Sequence, residues 1–121
     1  MITGTGIDIV NLDRIRKILD EHGERFMAKV LSDEERYSLP KVRVEEYIAG
    51  RFAAKEALAK ATDRKFSLTS VSVQNDGKGK PFFTGDFITG ILADSRVHLS
   101  ITHDMEYAAA FVIIEESGKE K

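Results

Sequence analysis

Glu56 lies in the run Gly50-Arg51-Phe52-Ala53-Ala54-Lys55-Glu56-Ala57-Leu58-Ala59-Lys60-Ala61. A helical period groups it with Phe52, Ala53, Ala59 and Lys60, and turns Lys55 elsewhere. A carboxylate among small and apolar neighbours requires a cation, a proton or several hydrogen-bond donors. The plain reading is an i,i+4 pair with Lys60, worth about 0.2–0.5 kcal/mol on a helix surface. Asp8 poses the same question in an extended stretch, where Ile7, Ile9 and Val10 flank it. Aspartate is disfavoured in strands, so one kept among β-branched neighbours has a structural partner or a ligand. His103 ends an alternating run beside Asp104, which could fix its tautomer. The turn Asn75-Asp76-Gly77-Lys78-Gly79, followed by Lys80 and Pro81, is either a hairpin tip or a source of N–H groups and ammonium charge for phosphate.

The elements that must position these groups follow from pattern. Ile2 to Val10 is β-branched and glycine-spaced, and predicts a strand. Gly4 and Gly6 do not open a helix as a dinucleotide-binding loop would, so they are read as permitting close backbone approach. Asn11 is a helix cap, and Leu12, Ile15, Ile18 and Leu19 recur at helical spacing until Gly23. A further short helix covers Glu24 to Leu31, and Ser32-Asp33-Glu34-Glu35 opens another with a capping box before Pro40. Alanine, leucine, lysine and glutamate predict one long central helix from about Val42. From Phe66 the period becomes alternating: a strand over Ser70 to Gln74, a turn, and a return strand from Lys80 at an edge, where Pro81 is tolerated. A short helix over Asp86 to Ala93 precedes the strand Val97 to Thr102, with Val97, Leu99 and Ile101 inward. Tyr107 to Ile114 forms the last strand, and Glu115 to Lys121 reads as a polar, frayed tail.

At 121 residues the chain is long enough for one core, so a single domain over 1–121 is expected. So short a chain favours oligomerisation to complete an enclosed site. A net charge of −2 excludes bulk attraction to nucleic acid, and no segment approaches a membrane span. Met1 leads into a strand rather than a secretory signal, and the absence of cysteine fits a cytoplasmic protein.

Three separated pieces coincide: Gly6-Ile7-Asp8-Ile9-Val10, Gly50-Arg51-Phe52-Ala53-Ala54-Lys55-Glu56-Ala57 and Ser100-Ile101-Thr102-His103. Together with Gly79-Lys80-Pro81 and Glu106-Tyr107-Ala108-Ala109-Ala110, they make the chain strongly resemble the holo-(acyl-carrier-protein) synthases, the short class of 4'-phosphopantetheinyl transferases. The resemblance implies an α+β fold of that transferase type, with the long central helix packed on a small, mainly antiparallel sheet. It implies transfer of 4'-phosphopantetheine from coenzyme A to a serine of apo acyl carrier protein in fatty acid biosynthesis, releasing adenosine 3',5'-bisphosphate. It also implies a homotrimer with sites between subunits.

By the same resemblance Asp8 and Glu56 are the metal ligands, holding Mg²⁺ against the coenzyme A diphosphate; a hard dication with oxygen ligands suits attack by a weak alcohol on an anionic phosphorus. Glu56 or a metal-bound water accepts the serine proton. Lys60 stabilises charge on the diphosphate as the leaving group departs, and His103 lies at the coenzyme A site, where it could donate to phosphate or position the base. Arg51, Gly79, Lys80 and Pro81 are further coenzyme A contacts. Arg14 matches the basic position that grips the acidic helix of the carrier, while the pattern departs near Glu21 and His22. The competing readings are a non-catalytic oligomer that binds coenzyme A or an acidic helix, and a broader transferase serving carrier domains of larger synthases.

Overall fold

A computed structural model describes residues 1–116. Strand β1 (Ile2–Asn11) runs into helix α1 (Leu12–Val30), then α2 (Asp33–Tyr37) and the long α3 (Val44–Thr62). A 3₁₀ turn over Leu68–Ser70 leads to the hairpin β2 (Ser72–Asn75) and β3 (Pro81–Thr84); α4 (Asp86–Gly90), β4 (Ser95–His103) and β5 (Tyr107–Glu116) follow. The main sheet has the order β1-β5-β4 and the hairpin forms a second sheet; all pairings are antiparallel. The α+β architecture is the one the resemblance implied.

Local chemistry explains most boundaries. The Asn11 side chain accepts the Arg14 N–H at 3.1 Å and starts α1. That helix is interrupted at His22, whose backbone (φ −143°, ψ 39°) is not helical. The two helices expected on either side of Gly23 therefore join at a kink. Ser32 and Glu35 complete their capping box. Helix α4 ends at Gly90, short of Ala93, and β2 begins at Ser72, since the 3₁₀ turn takes up Leu68–Ser70. Glu115 and Glu116 belong to β5, where Glu115 pairs with both Ile2 and Arg96. The tail expected from Glu115 is thus ordered for its first two residues, and 117–121 lie outside the described residues.

Helix α3 lies against β1 because β1 has no side chain in the way. A Cβ added at Gly6 would sit 1.9 Å from the Ala57 carbonyl oxygen, and one at Gly4 would sit 2.0 Å from that of Ala61. Glycine on the strand and alanine on the helix bring the two backbones into contact. Around them Ala53, Ala54, Ala57 and Leu58 are fully buried, with Leu12, Ile48, Val71 and Val112. Truncating Leu58 to alanine in so closed a core costs about 2–5 kcal/mol. Helix α3 begins on Arg43 in the left-handed region (φ 56°), without a side-chain cap. Lys55, expected to point away from the Glu56 face, does so into the interior and is 0% exposed. The sheet, α1 and the hairpin pack against α3 from several sides, and the side of the helix that carries Lys55 is among those covered.

Candidate active site

Side chains alternate along β1, so Gly4, Gly6, Asp8 and Val10 face α3 while Ile7 and Ile9 point away. Ile7 and Ile9 are 63% and 64% exposed, so β1 is covered on its α3 face only. Asp8, with its side chain 19% exposed, meets Lys60: Nζ lies 3.2 Å from Oδ1 and donates to the Ile7 carbonyl at 2.8 Å. Lys60 therefore pairs across to β1 and not with Glu56. Glu56 is half-buried one turn earlier, and its carboxylate has no hydrogen bond or ion pair among the described residues. A carboxylate left without an internal partner is free to accept a cation or hydrogen-bond donors from outside the chain.

The preceding turns of α3 line a cleft of about 330 Å³. Arg51, Gly79, Pro81 and His103, far apart in sequence, all border it, together with Arg43, Glu46 and Tyr47. Lys80 is exposed and does not border it, and neither do Asp8, Glu56 and Lys60. Arg51 and Glu56 are five residues apart on one helix, an axial rise of about 7.5 Å, so the cleft and the carboxylates occupy neighbouring turns.

Electrostatics in the cleft are set by short-range partners. Arg51 stacks with its guanidinium carbon 3.9 Å from the Tyr47 ring centroid. Its Nη2 donates to Asn75 Oδ1 at 3.2 Å and to the Val73 carbonyl at 3.4 Å, and its Nε is buried without a partner. Burial raises the Tyr47 phenol above its ordinary range against the pull of Arg51, so the hydroxyl remains a donor. Gly79, with φ 85°, closes a turn in which Asp76 Oδ1 accepts the Lys78 and Lys80 N–H groups at 2.9 Å. Those backbone donors hold the Asp76 carboxyl below its usual range. His103 Nδ1 lies 3.7 Å from Glu46 Oε1. Asp104 does not fix the His103 tautomer, since it accepts from the Glu106 and Tyr107 N–H groups at 2.8 Å and closes the β4–β5 turn.

Beneath the cleft lies a pair that pattern reading missed. Lys55 Nζ is 2.6 Å from Glu35 Oε1 and donates to the Val30 carbonyl at 2.8 Å. Glu35 also accepts from the Ser32 N–H at 2.9 Å and the Val73 N–H at 2.6 Å, and its own carbonyl accepts the Tyr47 hydroxyl at 2.8 Å. Desolvation lowers the Lys55 pKa, opposed by the charge and hydrogen bond of Glu35. The available signal was a lysine inside an alanine-rich helix whose apolar residues recur on all sides.

Arg14 is exposed on α1, beside Arg16 and Lys17, with Asp13 and Asp20 interspersed. Further along, Ile18, His22, Arg25, Phe26 and Lys29 line a separate shallow groove. It is apolar at its base and basic at its edges.

A long helix on a three-stranded antiparallel sheet with a hairpin beside it is an architecture shared with known structures. Residues 4–112 match the model of the 4'-phosphopantetheinyl transferase superfamily, and the chain belongs to it. Its relatives are specific. It is 42% identical over 127 residues to the holo-(acyl-carrier-protein) synthase of Bacillus mycoides (strain KBAB4), covering 98% of this chain and 100% of that protein. A crystal structure of the Bacillus anthracis str. Ames synthase in complex with CoA (3',5'-ADP) superposes with a TM-score of 0.82 at 41% identity, over 97% of this chain and 99% of that one. The Neisseria meningitidis synthase gives 0.88 at 34% identity, over 96% and 100%.

Proposed function

We propose that this chain is the transferase its relatives are named for: it moves 4'-phosphopantetheine from coenzyme A to a serine hydroxyl of apo acyl carrier protein and releases adenosine 3',5'-bisphosphate. The observation that carries this reading is Asp8 held at 3.2 Å from Lys60, with the unpartnered Glu56 one turn away, in a chain of this superfamily. Arg51, Gly79, Pro81 and His103 bind coenzyme A along the cleft, and Lys80 reaches it from the hairpin. Lys60, beside Asp8 and one turn from Glu56, places its ammonium against the charge that builds on the 5'-phosphate of the departing adenosine 3',5'-bisphosphate as the diphosphate bridge breaks. His103 donates to phosphate from the strand end.

Asp8 and Glu56 are the residues that would hold Mg²⁺. Two carboxylates fit an ion that completes its octahedron with water and phosphate oxygens, and no larger cluster of ligating side chains occurs among the described residues. When bound, such an ion neutralises diphosphate charge. Glu56, half-buried and without an internal partner, is the carboxylate available to take the serine proton.

Arg14 docks the acidic helix of the carrier, and the groove of Arg25, Phe26 and Lys29 extends that surface with charge and apolar area. The molecule works as a homotrimer with sites between subunits. The exposed face of the sheet supports this assembly: Ile7 pairs with Phe111 and Ile9 with Ala109 in register, leaving adjacent apolar side chains uncovered. The reaction serves fatty acid biosynthesis in the cytoplasm; among the described residues no helix is long and apolar enough to cross a membrane.

The test incubates the protein with coenzyme A, Mg²⁺ and apo acyl carrier protein and weighs the carrier by mass spectrometry. A phosphopantetheine adduct on the carrier serine is expected. Coenzyme A binding without any adduct on several carriers would leave a binding module instead.

A further inference from the structure

The guanidinium of Arg51 is aimed by contacts that begin in the protein interior. Tyr47 lies four residues before Arg51, so both rise from one face of α3. The flat guanidinium rests on the ring at 3.9 Å, which fixes its plane and leaves N–H groups at its edge. Only two weak bonds, to Asn75 and Val73, use its five donors, and Nε is buried without a partner. Both bonds use Nη2, so Nη1 has no hydrogen bond among the described residues, and Arg51 borders the cleft.

The ring is itself tethered at its far end. Its hydroxyl donates to the Glu35 carbonyl at 2.8 Å. Glu35 cannot drift, because its carboxylate takes hydrogen bonds from Ser32, Lys55 and Val73. Lys55 in turn is fastened to the last turn of α1 through the Val30 carbonyl.

We propose that Tyr47 is a positioning residue: anchored by its hydroxyl on the Glu35–Lys55 pair, it holds the Arg51 guanidinium in the orientation that receives an anionic group of coenzyme A. The inference rests on the cleft being the coenzyme A site. Its cause is mechanical. A side chain with several rotatable bonds that is stacked before the ligand arrives loses less freedom on binding.

Steady-state kinetics on the intact protein with apo acyl carrier protein and coenzyme A test it. Tyr47→Leu removes the platform and is expected to raise the KM for coenzyme A about tenfold, with kcat and the KM for the carrier within about twofold of wild type. Tyr47→Phe keeps the ring but frees its tip, and a rise of about threefold is expected. In an Arg51→Met background Tyr47→Leu should add nothing further, since the group it positions is gone. Equal effects of Tyr47→Leu with and without Arg51, or an unchanged coenzyme A KM in both Tyr47 variants, would overturn the proposal. Should Arg51→Met alone leave that KM unchanged, the cleft is not the coenzyme A site and the inference falls with it. If the leucine variant does not fold, the phenylalanine variant, alone and with Arg51→Met, decides the question by the same criteria.

Discussion

Glu35 and Lys55 form an ion pair with Oε1 and Nζ 2.6 Å apart, and their side chains are 1% and 0% exposed. Each lacks water to fall back on, so the pair is worth most when one half is removed. Lys55→Met would strand a carboxylate in the core and orphan the Val30 carbonyl. A loss of about 3–5 kcal/mol is expected in urea unfolding. A loss under about 1 kcal/mol would show that water or another cation reaches Glu35.

Gly6 and Gly23 make a contrasting pair. A methyl at Gly6 would meet the Ala57 carbonyl at 1.9 Å, whereas one at Gly23 would meet nothing within 4 Å. Gly6→Ala must therefore push α3 from β1, with a destabilisation of about 1–3 kcal/mol or more, and carry Lys60 away from Asp8. Gly23→Ala in the α1 helix should stabilise by about 0.5–1 kcal/mol. Thermal melts of both variants read the difference, and a Gly6→Ala protein as stable as wild type would mean that the strand and helix can separate freely.

What could be read from the sequence was what neighbours in sequence decide. The Asn11 cap, the Ser32–Glu35 capping box and the alternation of Val97, Leu99 and Ile101 are local, and the structure contains them. The glycines of β1 announced a close backbone approach, because their alternate spacing leaves one face of the strand bare. Partner choice was not legible. Glu56 and Lys60 have the spacing of an ion pair, yet Lys60 turns to Asp8, which is fifty-two residues away. Glu35 reads as a cap residue only, and nothing nearby shows that the Val73 N–H and Lys55 also converge on it. Arg51, Gly79, Pro81 and His103 each looked weak alone; that they share a cleft is a property of the tertiary arrangement.

The Asp76 turn should loosen in acid. Its folded carboxyl titrates below the unfolded value because the Lys80 and Lys78 N–H groups donate to the ionised form. The stability it lends is therefore present above the unfolded pKa, about 3.9, and is lost as pH falls through the folded one. An NMR titration of the Asp76 carboxyl should give a midpoint under about 3.9, with faster amide exchange at Lys78 and Lys80 below it. A midpoint at or above the free value would mean that these bonds do not persist in solution.

The bare face of the sheet predicts association. Ile7, Ile9 and Phe111, at 63%, 64% and 42% exposure, adjoin one another across β1 and β5. Light scattering on the wild-type protein should give three times the chain mass, and Ile9→Glu should shift it towards one, since a charge in a closed apolar interface has no partner. Because the sites are proposed to lie between subunits, that variant should lose transfer while its circular dichroism stays native. A wild-type protein that scatters as a monomer would move the whole site onto one chain.

The proposed reaction rests on the carboxylates of Asp8 and Glu56 and the ammonium of Lys60. Asp8→Asn keeps the shape of the side chain and removes the charge that faces Lys60; Glu56→Gln removes the half-buried charge with no internal partner. Neither change breaks an interaction the core depends on, so both proteins should melt near the wild-type temperature. Each should nevertheless lose about 10²–10³-fold in transfer rate, the scale seen when a charge aimed at a phosphoryl or oxyanion group is removed. Lys60→Met should lose rate by a similar factor, and it also frees Asp8 from its present partner. Calorimetric titration with Mg²⁺ in the presence of coenzyme A separates the roles: heat of binding should vanish in the Asp8 and Glu56 variants and persist in the Lys60 variant. Mg²⁺ binding that survives both carboxylate substitutions would remove Asp8 and Glu56 from the metal site, whatever happened to the rate.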